Sequence, residues 1–560
     1  MHRGSSTEER RFAINFEAIV RRDHELAERL ALPVGTDHLG RDAEGRTLRL
    51  WRGTWIDLDA NAPAETGEPK RGASIRFGVG SGRALDAELA RGESFTLWEP
   101  DPALLRLVLS RYDWSEAIES GRLEIVLGAD LVRLARWGRT RRIVVDGATA
   151  HMRSHELRLL RGGARRPIAV FVEGRLLVDA ISNALDRRGV DVYQLDVERL
   201  SREELDRALR VLAPRFAVAI NEVSGVAEWT ADADLPLVVW EIDPTTDEPR
   251  RLERRAPHAR MYTYRRAHVE AYRRAGWSTV EHLPLAADPL ARRPRHLLGP
   301  DRLRYRANVA FVGASMAEQA NAHLERFAAT LAKVRGEREL EDDLAGLERV
   351  LTEQSKDLDR YLVPELLRRH LPAALDAWER SGATDRPDAL VGEYAASLRR
   401  AAVIGAVAPF GARVWGDRGW VELLASAGVD ARCYRGPAGN RDEIEKIYSG
   451  AIVNLDVGRL YQNDIATLRV FDVLACGGLC LTERNEEIES LFDVGTELDV
   501  YSNRDELLAK VAHHLDHPEH ALAIGTRGRL AIQQRHSLDL RLDRLLAGIE
   551  LRGSEPARAA

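Results

Sequence analysis

Arg469, Asp464 and Asp472 are the residues of this 560-residue chain whose types and spacing suit chemistry on an anionic substrate. In residues 461–482 the apolar side chains Leu468, Phe471 and Leu474 recur at helical spacing, stop at Gly477-Gly478, and give way to the short apolar run Leu479-Cys-Leu481. That pattern predicts a helix, a glycine stop and a buried strand. Arg469 falls near the first turn, where free backbone N–H groups and the helix dipole already favour an anion. Asp464 and Asp472 lie eight residues apart, slightly over two turns, which predicts both near one face with Asp464 at the helix start. A cation for a diphosphate and carboxylates for ribose or sugar hydroxyls together suit a nucleotide sugar.

A second set of carboxylates follows a different pattern. Strand-like runs at residues 168–172, 190–195, 216–220, 237–242, 260–264 and 280–285 alternate with helix-length segments, as in a parallel sheet covered by helices. Ligands of such sheets lie at the carboxyl ends of the strands, where this chain has Glu173, Asn221-Glu222, Asp243-Pro244 and Asp288-Pro289. For a transfer that inverts the sugar, Asp243 is the first choice of general base, with Glu173 and Glu222 behind it. Each of these carboxylates also suits a helix cap or a turn. The Asp-x-Asp pairs Asp57/Asp59, Asp232/Asp234 and Asp357/Asp359 sit at none of these strand ends, so no metal is expected. The leaving diphosphate then falls to Arg469 and the helix N-terminus.

A third site candidate opens the chain. The turn Gly78-x-Gly80-x-Gly82 follows a strand-like run, and Phe95-Thr-Leu-Trp-Glu99 reads as a second strand ending in a carboxylate. This is a Rossmann-type unit with the tighter glycine spacing of methyltransferase-like folds, in which Glu99 would meet ribose hydroxyls. It leaves two alternatives to sugar transfer. One is a methyltransferase using S-adenosylmethionine; the other is a silent scaffold that docks glycosylation partners.

These residues need three or so domains to position them, as the length requires. Residues 1–160 predict an amphipathic helix over 8–32, a turn-rich segment with Trp51 and Trp55, and the small Rossmann-like module. Residues 166–290 hold the alternating strands. A linker rich in proline, arginine and glycine over 286–304 leads to residues 304–550, a second Rossmann-like domain with a helical insertion at about 316–400. The amphipathic helix over 538–549 could cross back onto the preceding domain. A net charge of −6 offers no basic surplus for nucleic acid. Cys433, Cys476 and Cys480 form no Cys-x-x-Cys or Cys/His cluster and read as cytosolic thiols. No signal-peptide core begins the chain, and the uncharged stretch 401–412 falls short of the ~20 residues that span a bilayer. The expectation is a cytoplasmic protein of undetermined oligomeric state.

The run Arg469-Val-Phe-Asp-Val-Leu-Ala-Cys-Gly-Gly, with Leu481-Thr-Glu483, Leu491-Phe492, Gly495-Thr-Glu497 and Val500-Tyr501, resembles the C-terminal half of CgeB-like glycosyltransferases of GT-B architecture. The pieces Trp240-Glu-Ile-Asp243-Pro244, Leu283-Pro-Leu-Ala-Ala-Asp-Pro289 and Asn308-Val-Ala-Phe-Val-Gly313 resemble that family's strand ends. Asp464 and Asp472 fall where related retaining enzymes carry two glutamates, each here shorter by a methylene. The resemblance implies an α/β fold of two Rossmann-like domains and transfer of a sugar from a nucleotide-sugar donor to a protein or glycan acceptor. It implies donor contacts by Arg469, Asp472, Asp464 and Asn454, by the Gly416-Asp417 turn with an exposed Trp420 at the cleft, and beside the Gly477-Gly478 stop. Helix 8–32, the Gly78-Val-Gly-Ser-Gly82 turn and Trp98-Glu-Pro-Asp-Pro resemble the N-terminal part of motility-accessory-factor proteins, which are linked to flagellin glycosylation.

Overall fold

The structure is a computed structural model that describes residues 5–60, 64–66, 74–163, 167–172, 176–243, 249–383, 385–438, 441–462 and 464–549. Its centre is a six-stranded sheet, all parallel, in the order Asp191–Leu195, Ile168–Val172, Phe216–Ile220, Leu237–Glu241, Ala259–Thr263, Thr279–His282. The first four are rich in apolar and β-branched residues, with Asp191, Gln194 and Glu241 as exceptions, and are buried at every position, because helices cover both faces.

A second all-parallel sheet has the order Ala412–Trp415, Ala307–Val312, Ala451–Leu455, Cys480–Glu483, Asp499–Tyr501. From Ala307–Val312 the chain steps to one side, then returns to the other, so the strand order reverses between Val312 and Leu455. A crevice forms at the carboxyl ends of strands at such a reversal. Five helices, from Ala317–Arg335 to Pro387–Val407, stand between the first and second strands of this sheet and close a core of their own around Phe327, Leu347, Val363 and Trp378. The last of them is buried along most of its length, and so carries Glu393, Arg399 and Arg400 into the interior.

The two sheets share one hydrophobic core. Phe171, Ile181 and Trp240 from the first continue into Phe471, Phe492, Leu538 and Leu542 from the second. The helix Leu538–Leu545 returns to the first domain, where Leu538 N donates to Ala287 O at 2.8 Å and Arg188 binds Asp543 at 2.8 Å. The carboxyl ends of the sheets meet across a cleft: Arg265 reaches Asp464 at 2.8 Å and Arg266 reaches Glu487 at 2.8 Å.

The N-terminal part differs from expectation in one respect. Residues 8–32 form two helices, Ser5–Arg22 and His24–Ala31, because the Asp23 backbone leaves the helical region and its carboxylate caps Leu26 N at 2.9 Å. A three-stranded antiparallel sheet follows, then a five-stranded sheet in the order Ala64–Thr66, Ile143–Val145, Ser74–Phe77, Phe95–Glu99, Leu123–Leu127. Its last four strands run parallel.

Candidate active site

The reversal of the second sheet gathers charge. Asp456, just past the strand Ala451–Leu455 and 3% exposed, accepts from Thr467 Oγ1 and Thr482 Oγ1, each at 2.9 Å, and from Arg469 Nη1. Arg469 also donates through Nε to Val312 O at 2.7 Å, and its guanidinium lies 4.5 Å from the Phe311 ring. Gly313 makes room for it, since a Cβ there would stand 2.5 Å from Arg469 Nη2. Arg400 bridges the loops that leave both flanking strands, donating to Ala314 O at 2.7 Å and Val457 O at 3.3 Å. Among the described residues no carboxylate hydrogen-bonds to it, and its buried Nε has no partner. Burial above all, then repulsion from Arg469 and Arg459, lowers Arg400 to about 9. Arg459 Nε stands 3.4 Å from Glu393 Oε2 without a hydrogen bond between them.

Among the described residues, three guanidiniums, one buried and two half-buried, therefore face the buried carboxylates Asp456 and Glu393. A buried cation that bonds only carbonyls costs free energy unless an anion completes the site. The helix Leu468–Ala475 adds to this. Thr467 at its N-cap turns its hydroxyl to Asp456, so among the described residues no side chain caps the first N–H groups.

Across the cleft, Glu241 ends its strand at 1% exposure and accepts from Thr263 Oγ1 and from Tyr272 OH at 3.2 Å. Its Oε1 lies 2.9 Å from His268 Nδ1, and His268 Nε2 lies 3.1 Å from Arg265 Nη1. This network assigns the ring proton to Nδ1 and leaves Nε2 as the basic nitrogen. Nearby, Asn221 in the left-handed region (φ 61°) accepts from Ile242 N and Asp243 N and donates to Asp243 Oδ2 at 2.7 Å. Burial first, opposed by Arg250 and reinforced by Glu228, raises Glu222 to about 7. Asp243 and Glu222 thus stand at the first sheet's carboxyl end, whereas Glu173 lies outside the described residues.

Several expected donor contacts are corrected by the packing. Asp464 precedes the helix Leu468–Ala475 and shares no helical face with Asp472, because Thr467 is the N-cap. It turns to Arg265 instead. Asp472 accepts from Arg292 Nε at 3.0 Å, toward the linker. Asn454 is 1% exposed and donates inward to Tyr448 O at 3.1 Å and Leu479 O at 3.3 Å. Trp420, expected at the surface, is fully buried edge-on to Phe311 and donates to Gly313 O at 2.8 Å. Asp417 accepts from Ser315 N at 2.7 Å, and a Cβ on Gly416 would meet Gly313 O at 2.2 Å, so that turn braces the strand end. Gly477 and Gly478 end the helix at its far pole. Gly477 has φ 73°, and a Cβ on Gly478 would stand 2.7 Å from Tyr448 O.

Sequence reasoning passed over Arg400, Asp456, Glu241 and His268. A carboxylate inside the apolar strand Leu237–Glu241 and the pair Arg399-Arg400 inside an apolar helix were the readable signals.

The N-terminal turn is packed against the chain's own side chains among the described residues. Glu99, fully buried and raised by burial to about 7, accepts from Val79 N at 3.0 Å and Asp101 N at 3.1 Å. A Cβ on Gly78 would meet Thr149 Oγ1 at 2.1 Å, and one on Gly80 would meet Asp146 Oδ2 at 2.5 Å. The chain's own side chains fill the cradle, which does not fit S-adenosylmethionine.

Comparison with known proteins points to the same half of the molecule. The sucrose-phosphate synthase of Thermosynechococcus elongatus aligns with 68% of this chain and 98% of its own, at 11% identity and TM-score 0.40. HepE of Anabaena, solved with UDP-glucose, aligns with 68% and 98% at 10% identity and TM-score 0.39. The MAf glycosyltransferase of Magnetospirillum magneticum AMB-1 aligns with 70% and 91% at 13% identity and TM-score 0.21. Likeness at these scores carries no weight, and the fold rests on the sheet topology above. No curated protein matches the chain. Residues 396–547, which contain Arg400, Asp456, Arg459 and Arg469, match the glycosyl transferase-like family, and through this domain the chain is a glycosyltransferase.

Proposed function

We propose that the protein moves a sugar from a nucleotide-sugar donor to a hydroxyl of a protein or glycan acceptor, and that the donor site works without a metal. The observation that carries this reading is the surplus of guanidinium charge at the strand reversal of the matched domain, with Arg400 buried and Arg459 and Arg469 half-buried. Arg400, Arg459 and Arg469 would receive the diphosphate, supplying in fixed positions the charge stabilisation that transfer needs as the leaving group departs.

In the transfer, the acceptor oxygen bonds to the anomeric carbon as the bond from that carbon to the diphosphate oxygen breaks. The nucleoside diphosphate leaves with the electron pair, and the acceptor proton goes to His268 Nε2. Glu241 orients the ring and stabilises the imidazolium. Arg265 must first turn from Nε2, and the donor phosphates offer it a partner. With His268 as base the sugar inverts. Asp243 is the second candidate, standing with Glu222 at the same carboxyl end of the first sheet. A protein acceptor and a cytoplasmic location accord with the resemblance to CgeB-like and motility-accessory-factor proteins. No helix among the described residues is long and apolar enough to cross a membrane.

The test is calorimetric titration with UDP-, GDP- and dTDP-sugars, followed by transfer assays with Mg²⁺ and Mn²⁺ omitted. Binding of one of these donors with turnover in the absence of added metal is the expected result. Failure of all three classes to bind, or turnover only with added metal, would sink the reading.

A further inference from the structure

Four histidines fall within eight residues, His513, His514, His517 and His520, where the helix Arg504–Asp516 ends and the helix Pro518–Arg535 begins. One ring nitrogen each of His513, His514 and His520 lies within 4.8 Å of those of the other two. His513 and His520 are exposed, whereas His514 is 1% exposed. Its Nε2 stands 2.9 Å from Asp499 Oδ2, and its buried Nδ1 has no partner among the described residues. Asp499 is in turn held by Lys510 Nζ at 2.5 Å and begins the edge strand Asp499–Tyr501.

A buried imidazole with one nitrogen fixed by a carboxylate and the other unpaired among the described residues, beside two more imidazoles, is an arrangement by which proteins hold zinc. Nitrogens bound to one tetrahedral zinc lie about 3.3 Å apart, since each Zn–N bond is about 2.0–2.1 Å. The exposed rings of His513 and His520 have the rotamer freedom to close that gap. An all-nitrogen set disfavours Mg²⁺ and Ca²⁺, which take oxygen ligands, and favours Zn²⁺, Co²⁺ or Ni²⁺.

We propose that His513, His514 and His520 bind one Zn²⁺ ion, with Asp499 positioning His514 and water in the fourth place. The ion would staple the end of one helix to the first turn of the next and, through Asp499, to the sheet edge. Its role is structural, because Asp499–Tyr501 stands at the opposite edge of the sheet from Ala412–Trp415, with two strands between it and the strand Ala307–Val312 at the reversal. This departs from the expectation of no metal, which weighed carboxylate pairs and cysteines and passed over these histidines.

The experiment uses the full chain without a histidine tag, freed of metal by dialysis. Zn²⁺ is titrated calorimetrically, and Co²⁺ is followed by its visible absorption. One equivalent of Zn²⁺ should bind and raise the melting temperature, and Co²⁺ should show the bands of tetrahedral coordination. His520→Ala, at an exposed position, should weaken Zn²⁺ binding at least tenfold. Asp499→Asn should weaken it roughly ten- to a hundredfold, the usual cost of losing an outer-shell partner. His517 turns Nδ1 to His513 O at 2.9 Å, so His517→Ala should leave affinity unchanged. Absence of stoichiometric binding, or equal weakening by His517→Ala and His520→Ala, would overturn the site and leave only casual binding by surface histidines.

Discussion

Two strand ends in this molecule, one before Gly78 and one before Gly313, look alike in outline and differ in what fills the space beyond them. Each is a buried parallel strand that runs out into glycine, with a carboxylate on the neighbouring strand end. At Gly78 the space holds Thr149 and Asp146, and Glu99 spends both oxygens on backbone N–H groups. At Gly313 the space holds the Arg469 guanidinium beside the Phe311 ring, and among the described residues Arg400 hydrogen-bonds only to carbonyls. The first end is complete without a ligand. The second carries a charge that an anion would complete, and its stability is spent to keep that charge in place.

The widest split between the two ends should come from the chemistry at the cleft. His268→Ala should lower kcat by roughly 10²- to 10⁴-fold with donor affinity little changed, the range typical of a lost general base. Glu99→Gln should leave kcat alone. A separate measurement of kcat and donor Kd decides this, and equal kcat for His268→Ala and the parent would move the base to Asp243.

Next in size is the arginine cluster. Arg469→Ala and Arg400→Met should each weaken donor binding about ten- to a hundredfold, because a charge-assisted hydrogen bond is worth about 1.5–3 kcal/mol. Arg400→Met should also raise the melting temperature of the free protein, since it removes a buried, repelled cation. Loss of both stability and affinity would make Arg400 a structural brace. Gly313→Ala should mimic Arg469→Ala, because its Cβ would displace the guanidinium.

The pH profile sharpens the comparison from the other side. Glu99 titrates at about 7 in the folded protein against 4.5 unfolded. Between those values the folded state keeps a proton that the unfolded chain has shed. Stability therefore falls as pH rises from 4.5 to 7 and is flat beyond, by about 3 kcal/mol from this group. Thermal melts across that window should show the fall in the parent and its loss in Glu99→Gln. The smallest effect expected is none: S-adenosylmethionine should leave the melting temperature where it was, and a clear rise would show that Thr149 and Asp146 yield to a ligand.

Much of the architecture was legible because parallel strands buried on both faces must be continuously apolar, and their breaks mark the helices between them. The alternation over 168–285 matches the observed strands for that reason. The continuous helix over 8–32 was misread because Asp23 had to be recognised as a cap inside an amphipathic pattern. The site was less legible. Spacing put Arg469 at the head of its helix, and the structure places it at the strand reversal. Yet periodicity alone could not say that Asp472 turns to Arg292, that Trp420 packs under Gly313, or that Asn454 donates inward.

Local patterning by itself determined where helices and strands lie and which of their faces are apolar, since burial against any partner imposes the same period. Only the tertiary structure decided which polar groups share a crevice. Arg400 and Arg469 are 69 positions apart, and Glu241 meets His268 only because two strands align side by side. Charges so distant in sequence interact through space, where the low dielectric of the closed core makes the pairing, or its absence, count.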